Sequence, residues 1–346
     1  MTKEKYMNTL RDRLNQLNIE GREDILNDFE AHFTLGKQNG HSDEELMESL
    51  GSIEEILESY ENLQSPNDEK ILIDGHDQKK EFTNKITTID ISARHADTKI
   101  TTSKDNGFHV DLYKEGRFLE RMSHALIAYQ EEDVFYVKVL PLFPHKSSGQ
   151  YDLSIQVPHD LPNLILNTSS GDGILKNITV QEIRINSASG DFRLLDINSE
   201  RVDIEVASSD FQLIDVRGDM YIRSASGDFQ IEQSNGENFN YQSASGDLKL
   251  NGDYETIHLN NVSGDINAQL KTIKQMHISN VSADIHVKIE NNNDLLISSS
   301  TLNGTCEAYQ FGKDLMLKQL GQVQMGEPKT QIKLKTISGD IRLDLE

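Results

Sequence analysis

The sequence predicts a mainly β protein. Its body is a parallel β-helix, or solenoid, with rungs of 18–19 residues, preceded by a small N-terminal α-helical bundle. Three observations predict it. A Ser-Gly-Asp turn signal recurs down the second half of the chain at near-constant spacing. Two alternating apolar runs stand at fixed offsets from each copy. The first sixty-odd residues follow a helical period instead.

The clear copies of the turn are Ser170-Gly171-Asp172, Ser189-Gly190-Asp191, Ser209-Asp210, Ser226-Gly227-Asp228, Ser245-Gly246-Asp247, Ser263-Gly264-Asp265, Ser282-Ala283-Asp284 and Ser338-Gly339-Asp340. The first seven aspartates are spaced by 19, 19, 18, 19, 18 and 19 residues. From Asp284 to Asp340 is 56 residues, which reads as three further periods, with Asn303-Gly304 and Gly321 as degraded turns. A period this short means a stack of rungs that each bury their apolar face on the next.

After each turn, apolar residues fall at the first and third positions. Phe192 and Leu194, Phe211 and Leu213, Phe229 and Ile231, and Leu248 and Leu250 begin the column. It continues through Ile266/Ala268, Ile285/Val287, Cys306/Ala308, Val323/Met325 and Ile341/Leu343. Later in each period the pattern repeats, as in Ile183/Ile185, Val202/Ile204, Met220/Ile222, Phe239/Tyr241, Leu295/Ile297 and Leu315/Leu317. Period-2 alternation is the mark of a strand with one buried face. Stacked in parallel about 4.8 Å apart, nine or ten such rungs make a rod roughly 45 Å long.

The turn residues have a direct physical use. Gly171, Gly190, Gly227, Gly246, Gly264 and Gly339 supply the positive φ of a sharp bend, and the flanking Ser and Asp can bond nearby backbone N–H groups. The chemical alternative is a cation ladder through Asp191, Asp210, Asp228, Asp247, Asp265 and Asp284, or a catalytic carboxylate pair. Turn chemistry is the plainer reading, because a catalytic pair would be singular and this column repeats. A like-charge column costs on the order of 1 kcal/mol per neighbouring pair in water, so backbone donors or weak cations must offset it.

The chain has 346 residues and a net charge of −23. That balance argues against nucleic acid and anionic membranes as partners and suits a cationic peptide, a basic protein face or another surface ligand. No run approaches the roughly 18 apolar residues of a membrane span, and the start lacks a signal-peptide core. The default compartment is therefore the cytoplasm, with peripheral or surface association left open. Cys306, the single cysteine, excludes an intrachain disulfide and falls in a core column.

Residues 1–63 read as a separate helical module. Tyr6, Leu10, Leu14 and Leu17 share one face, as do Ile25, Leu26, Phe29 and Phe33. Ser42-Asp43-Glu44-Glu45 and Ser52-Ile53-Glu54-Glu55 are capping boxes, and Gly40 and Gly51 stand at helix stops. The module is acidic, and its use is expected to be a protein partner contacted through these helices. A polar linker over 64–85 follows. Residues 86–162 hold irregular strands around Ile89/Ile91, Phe108/Val110/Leu112, Val134–Val139 and Leu153/Ile155/Val157. They are expected to close the N-terminal end of the regular solenoid over 163–346.

These residues carry two resemblances. The Ile-Asp-Ile opening, Val157-Pro158 before Leu164-Ile165-Leu166, and the Ser-Gly-Asp rungs resemble the bacterial "putative adhesin" family of unknown function, over about 86–346. Lys3 to Tyr60 is similar to the HAAS-type helical signalling domain. Tyr6, Leu10, the Glu23–Glu30 stretch and the Leu50–Ile56 stretch carry that similarity. The first resemblance implies a β-solenoid and an association with cell-envelope stress operons. The second implies a regulatory module that commonly precedes a membrane segment, which this chain lacks. Neither implies catalytic residues or a cofactor.

The resulting expectation is a non-catalytic binding or scaffold protein, placed by the resemblance in the envelope stress response of a Gram-positive bacterium. Two alternatives compete. A carbohydrate-active β-helix enzyme would need long loops to wall a cleft, whereas turn-to-turn lengths here stay between 17 and 21 residues. His258, His277 and His286 fall at outward or edge phases, and no metal-ligand spacing appears. The other alternative is a self-assembling filament, because Ile341–Glu346 reads as a last rung with an open edge. Arg342, Asp344 and Glu346 put charges on that edge.

Overall fold

Alternating inward side chains do build a solenoid, and its rungs are flattened into two stacked faces. The computed structural model describes residues 2–16, parts of 26–53, 70–72, 78–80, 86–114, 124–141, 151–290, 294–310, 313–314 and 320–346. Among these, 24 strands join into one sheet. In the middle of the rod each rung is one long bent strand, such as Phe192–Ser208, Phe211–Ser226, Phe229–Ser245 and Leu248–Ser263. Its first half stacks on one face and its second half on the other, both in parallel, so that Phe192 pairs with Phe211 and Val202 with Met220, with a one-residue register shift between Asn198 and Arg201.

The core lies between the two faces. Leu194, Leu213, Ile231, Ile257 and Leu259 are fully buried. Phe192, Phe211 and Phe229 form an aromatic stack with centroids 4.9 and 5.1 Å apart and planes within 9°. Fully burying a side chain of this size contributes roughly 1.5–3 kcal/mol. Repetition over many rungs makes the rod stable although it is thin.

Alternation breaks between the third and sixth positions past the turn aspartate, which the sequence pattern did not reveal. Asn177, Asp196, Asp215 and Gln233 sit at φ 57, 54, 53 and 53° in successive rungs. Each lies between Leu175, Leu194, Leu213 or Ile231 and the next inward position. This column of left-handed residues bends the strand within each rung. Asn and Asp tolerate the left-handed region better than most side chains, which fits three of the four positions.

The two ends depart from simple stacking in the same way. At the C-terminal end, Ile341–Leu345 lies between Ile285–Ile289 and Cys306–Gln310, parallel to both. On the other face Thr330–Lys335 lies between Gln275–Ser279 and Leu295–Ser300. The final rung in sequence is thus an interior rung in space. The expected open edge at Ile341–Glu346 is not there, because both sides of that strand are paired. Leu320–Met325 runs antiparallel on Leu295–Ser300 and covers the end. Gly321 and the Val323/Met325 pair therefore belong to a capping strand, not to a further turn and rung. The 56-residue gap holds two turn-to-turn periods, the second lengthened by the cap, rather than three. Leu315 and Leu317 lie outside the described residues.

At the N-terminal end, Thr88–Arg94 is held between Val134–Pro141 and Asn163–Thr168, and Asp97–Thr102 between Tyr151–Val157 and Gly173–Thr179. Antiparallel Phe108–Lys114 and His124–Glu131 cover the outer rung. Antiparallel strands give the outermost rung backbone partners without offering another copy a parallel edge to extend. Within the expected linker, Lys70–Leu72 and Gln78–Lys80 pair with these capping strands.

In the helical region, Lys3–Gln16 and Asp43–Leu50 are helices. Tyr6, Leu10, Leu14, Leu26, Phe29 and Phe33 are buried, with Tyr6 6.0 Å from Phe33. The first capping box forms: Ser42 N–H donates to Glu45 Oε2 at 2.9 Å and Glu45 N–H to Ser42 Oγ at 3.2 Å. Gly40 takes φ 87° at a helix stop. Leu17, Ile25, Gly51 and most of the second capping box lie outside the described residues.

Candidate functional site

The repeated turn is built from three side chains and a glycine. Ser187 Oγ donates to the carbonyl of Ser189 at 2.8 Å, and Ser224 and Ser243 do the same to Ser226 and Ser245. The hydroxyl gives the carbonyl at the bend a further local donor, which fixes the turn. Gly190, Gly227, Gly246, Gly264, Gly171 and Gly339 all take positive φ, between 110 and 134°. They are also packed against the rung below. A Cβ on Gly190 would stand 2.1 Å from Gly171 O, and one on Gly246 2.1 Å from Gly227 O.

Most aspartates of the column then accept the backbone N–H of the aspartate one rung on. Asp172 N donates to Asp97 Oδ1 at 2.8 Å, Asp191 N to Asp172 at 2.9 Å, Asp228 N to Asp210 at 2.7 Å and Asp247 N to Asp228 at 2.8 Å. The series continues through Asp265, Asp284 and Asp340 to Thr305 N, at 2.8, 3.0, 2.8 and 2.7 Å. It is interrupted between Asp191 and Asp210, where Ser209 occupies the glycine position. These charge-assisted bonds are the donors that offset repulsion along the column. One oxygen of each bonded carboxylate is committed to the fold. Among the described residues no group of three His, Cys, Asp or Glu side chains converges to hold a metal ion.

An open groove of about 620 Å³ follows this column over five rungs. Asp191, Asp210, Asp228, Asp247 and Asp265 form one wall, and Arg193 and Lys249 stand among the outward residues of the other. It is acidic, shallow and evenly repeated. A second open groove, of about 840 Å³, lies near the N-terminal end beside Arg94, Lys138, Asn167 and Asn186. There Asn186 Nδ2 donates to Asn167 Oδ1 at 2.8 Å and Asn167 Nδ2 to Asp90 Oδ1 at 2.9 Å. Partial burial raises the Asp90 carboxyl above its usual range, against the Asn167 hydrogen bond and the Lys138 charge. The Lys138 ammonium sits over Tyr129 and Tyr136, 4.8 and 5.1 Å from their centroids.

Three histidines of the C-terminal rungs, His258, His277 and His286, occupy outward positions. His258 and His277 neighbour each other across one rung, with rings 6.4 Å apart. Burial, then the charges of Lys333, His258 and Lys335, hold His277 below its ordinary value. His286 Nε2 lies 2.8 Å from Asp344 Oδ2, which also accepts from Arg342 Nε at 3.0 Å. Cys306 is buried, and burial raises its thiol.

The sequence reading missed the role of Ser187, Ser224 and Ser243. The signal was present as the full Ser-Ala-Ser-Gly-Asp string at each of these turns. It also missed Asp97, which begins the aspartate series without any Ser-Gly before it.

The family model described as Toastrack DUF4097 matches residues 144–253 and 218–344. The model described as HAAS matches residues 5–59. No curated protein matches the chain. Among solved structures, a "putative adhesin" from Bacteroides fragilis is 13% identical with a TM-score of 0.36, covering 79% of this chain and 97% of that one. A "putative lipid binding protein" from Parabacteroides distasonis is 14% identical with a TM-score of 0.38, covering 78% and 96%. A "putative cell adhesion protein" from Clostridium sporogenes is 9% identical with a TM-score of 0.23, covering 79% and 100%.

Proposed function

Because this chain belongs to the Toastrack DUF4097 family, whose model spans more than half of it, we propose that it is a non-catalytic binding or scaffold protein. In this reading the solenoid is a rigid rod that presents long repeated surfaces, and the N-terminal helices contact a second protein. The cellular setting we propose is envelope stress sensing or signalling in a Gram-positive bacterium. The rod would act in the cytoplasm or at the cell periphery. Among the described residues no helix is long and apolar enough to cross a membrane.

One observation carries the reading. The conspicuous repeated carboxylates, Asp191 excepted, accept the N–H of a neighbouring rung, which accounts for their periodicity by folding. The acidic groove beside them is wide and uniform, which suits an extended cationic peptide or surface ligand rather than one reacting bond. General acid–base chemistry would call for a distinct pair of groups with divergent pKa values in one cleft.

The test is cellular and chemical. Removing residues 1–63 should abolish the transcriptional response to envelope-acting antibiotics while the solenoid stays folded; an unchanged response would remove the signalling role. Incubation with acidic polysaccharides should release no reducing ends. Release that survives purification and disappears in a groove variant such as Asp228→Asn would overturn the non-catalytic reading.

A further inference from the structure

The described residues include six exposed large apolar side chains, and four of them form one line. Val262, Val281, Ile337 and Leu302 are 51, 41, 42 and 73% exposed. Each stands one residue before the turn serine or asparagine of its rung, at the corner of the rod. They are neighbours in space in that order. Ser282 N donates to Val262 O at 2.9 Å, Ser338 N to Val281 O at 2.9 Å, and Leu302 N to Ile337 O at 3.2 Å. The equivalent corner positions in earlier rungs are Ala188, Ala207, Ala225 and Ala244. A small-residue corner therefore becomes an aliphatic ridge over the C-terminal rungs alone.

The two flanks of this ridge differ in charge. On one side run Asp265, Asp284 and Asp340. On the other, His258, His277 and Lys333 occupy adjacent rungs in one outward column, and Lys335 follows Ser279 in the next. Both lysines are exposed. This is a local basic patch on a chain of net charge −23.

Spacing and charge select the occupant. The ridge offers one apolar side chain per rung, about every 4.8 Å. An α-helix lying along the rod offers one per turn, about every 5.4 Å. An extended strand would offer one per two residues, about 6.7 Å, and would lose register within two rungs. The aspartate flank repels an anionic lipid surface. We propose that the ridge docks an amphipathic α-helix of a partner protein, with acidic side chains over Lys333 and Lys335 and basic ones over Asp265, Asp284 and Asp340. The proposal deepens the scaffold reading by giving the rod a partner of stated chemistry at a stated place.

The test uses the full chain and a labelled synthetic helix of about four turns. The helix carries leucine at every third or fourth position, glutamate along one flank of that stripe and lysine along the other. Two controls carry glutamate on both flanks or lysine on both. Fluorescence anisotropy should show the mixed helix binding at least about tenfold more tightly than either control. Lys333→Glu with Lys335→Glu should transfer the preference to the all-lysine helix. Ile337→Ser with Leu302→Ser should weaken binding about tenfold at an unchanged melting temperature, since both side chains are exposed.

Equal binding of all three helices, or binding of none, would overturn the proposal. So would a dimer in sedimentation that Leu302→Ser dissociates, because the occupant would then be a second copy. Ridge-dependent binding to phosphatidylcholine–phosphatidylglycerol vesicles would replace the helix with a lipid surface. Binding of the mixed helix alongside a normal stress response without residues 1–63 would leave this proposal standing while the signalling reading fell.

Discussion

The backbone N–H of Asp340 donates to the carboxylate of Asp284 across 2.8 Å, although 56 residues separate them. The same spacing relation elsewhere joins aspartates 18 or 19 residues apart. The bond marks where the chain leaves a rung vacant in its upward path, builds the terminal rung and cap, and returns to fill the place.

That return makes the final strand an interior one. Hydrogen exchange at Ile341–Leu345 should be as slow as in Leu248–Ser263, not fast as at a frayed terminus. Truncation after residue 329 should expose the facing edges of Ile285–Ile289 and Cys306–Gln310 and drive aggregation. A truncated chain that stays monomeric and cooperative would show that the inserted rung is dispensable.

The aspartate series separates the hydrogen bond from the charge. Asp228→Asn keeps an acceptor for Asp247 N–H, so it should cost under about 2 kcal/mol. Asp228→Ala leaves that N–H without its acceptor and should cost more, about 1–3 kcal/mol beyond the asparagine variant. Chemical denaturation measures both. A melting temperature that rises steeply with millimolar calcium, and only with Asp228 present, would instead identify a cation ladder.

At Gly246 two penalties coincide. Alanine would be forced to φ 113°, and its Cβ would meet Gly227 O at 2.1 Å. The left-handed conformation alone costs a non-glycine residue about 1–2 kcal/mol. Gly246→Ala should therefore lose roughly 3 kcal/mol or more once the backbone shift is included. A loss near 1 kcal/mol would mean that the rungs separate easily at this corner.

Asp90 gives a pH dependence. Burial raises its folded pKa, so protonation is favoured more in the folded than the unfolded chain. Its contribution is greatest below the unfolded carboxylate value, about 3.9, and is lost as pH rises through the raised folded value. Asp90→Asn retains an acceptor for Asn167 and carries no charge, so it should raise the melting temperature at neutral pH. The gain should shrink as the pH falls toward 4. A gain that stays constant with pH would remove burial of the charge as its cause.

The sequence by itself determined the rung. Period-2 alternation places Phe192, Leu194, Val202 and Ile204 inward in any stacking. The recurrence of glycine at Gly190, Gly227 and Gly246 marks the bend, because both the positive φ and the close carbonyl below exclude a side chain. The capping box at Ser42 and Glu45 is equally local and equally readable. The left-handed bend at Asp196 was not readable, because a polar residue between two inward ones resembles any outward position.

What only the tertiary structure decided is the order of the rungs. The inward pairs Ile285/Val287, Cys306/Ala308 and Ile341/Leu343 are all apolar and all follow the same alternation, so the pattern does not say which stacks on which. The local pattern therefore carries no information about who lies next to whom. Order is settled by long-range backbone pairing and by the need to cover the last rung with an antiparallel strand rather than leave an edge exposed. The aliphatic ridge follows from that choice: Ile337 completes it only because the final rung enters between Val281 and Leu302.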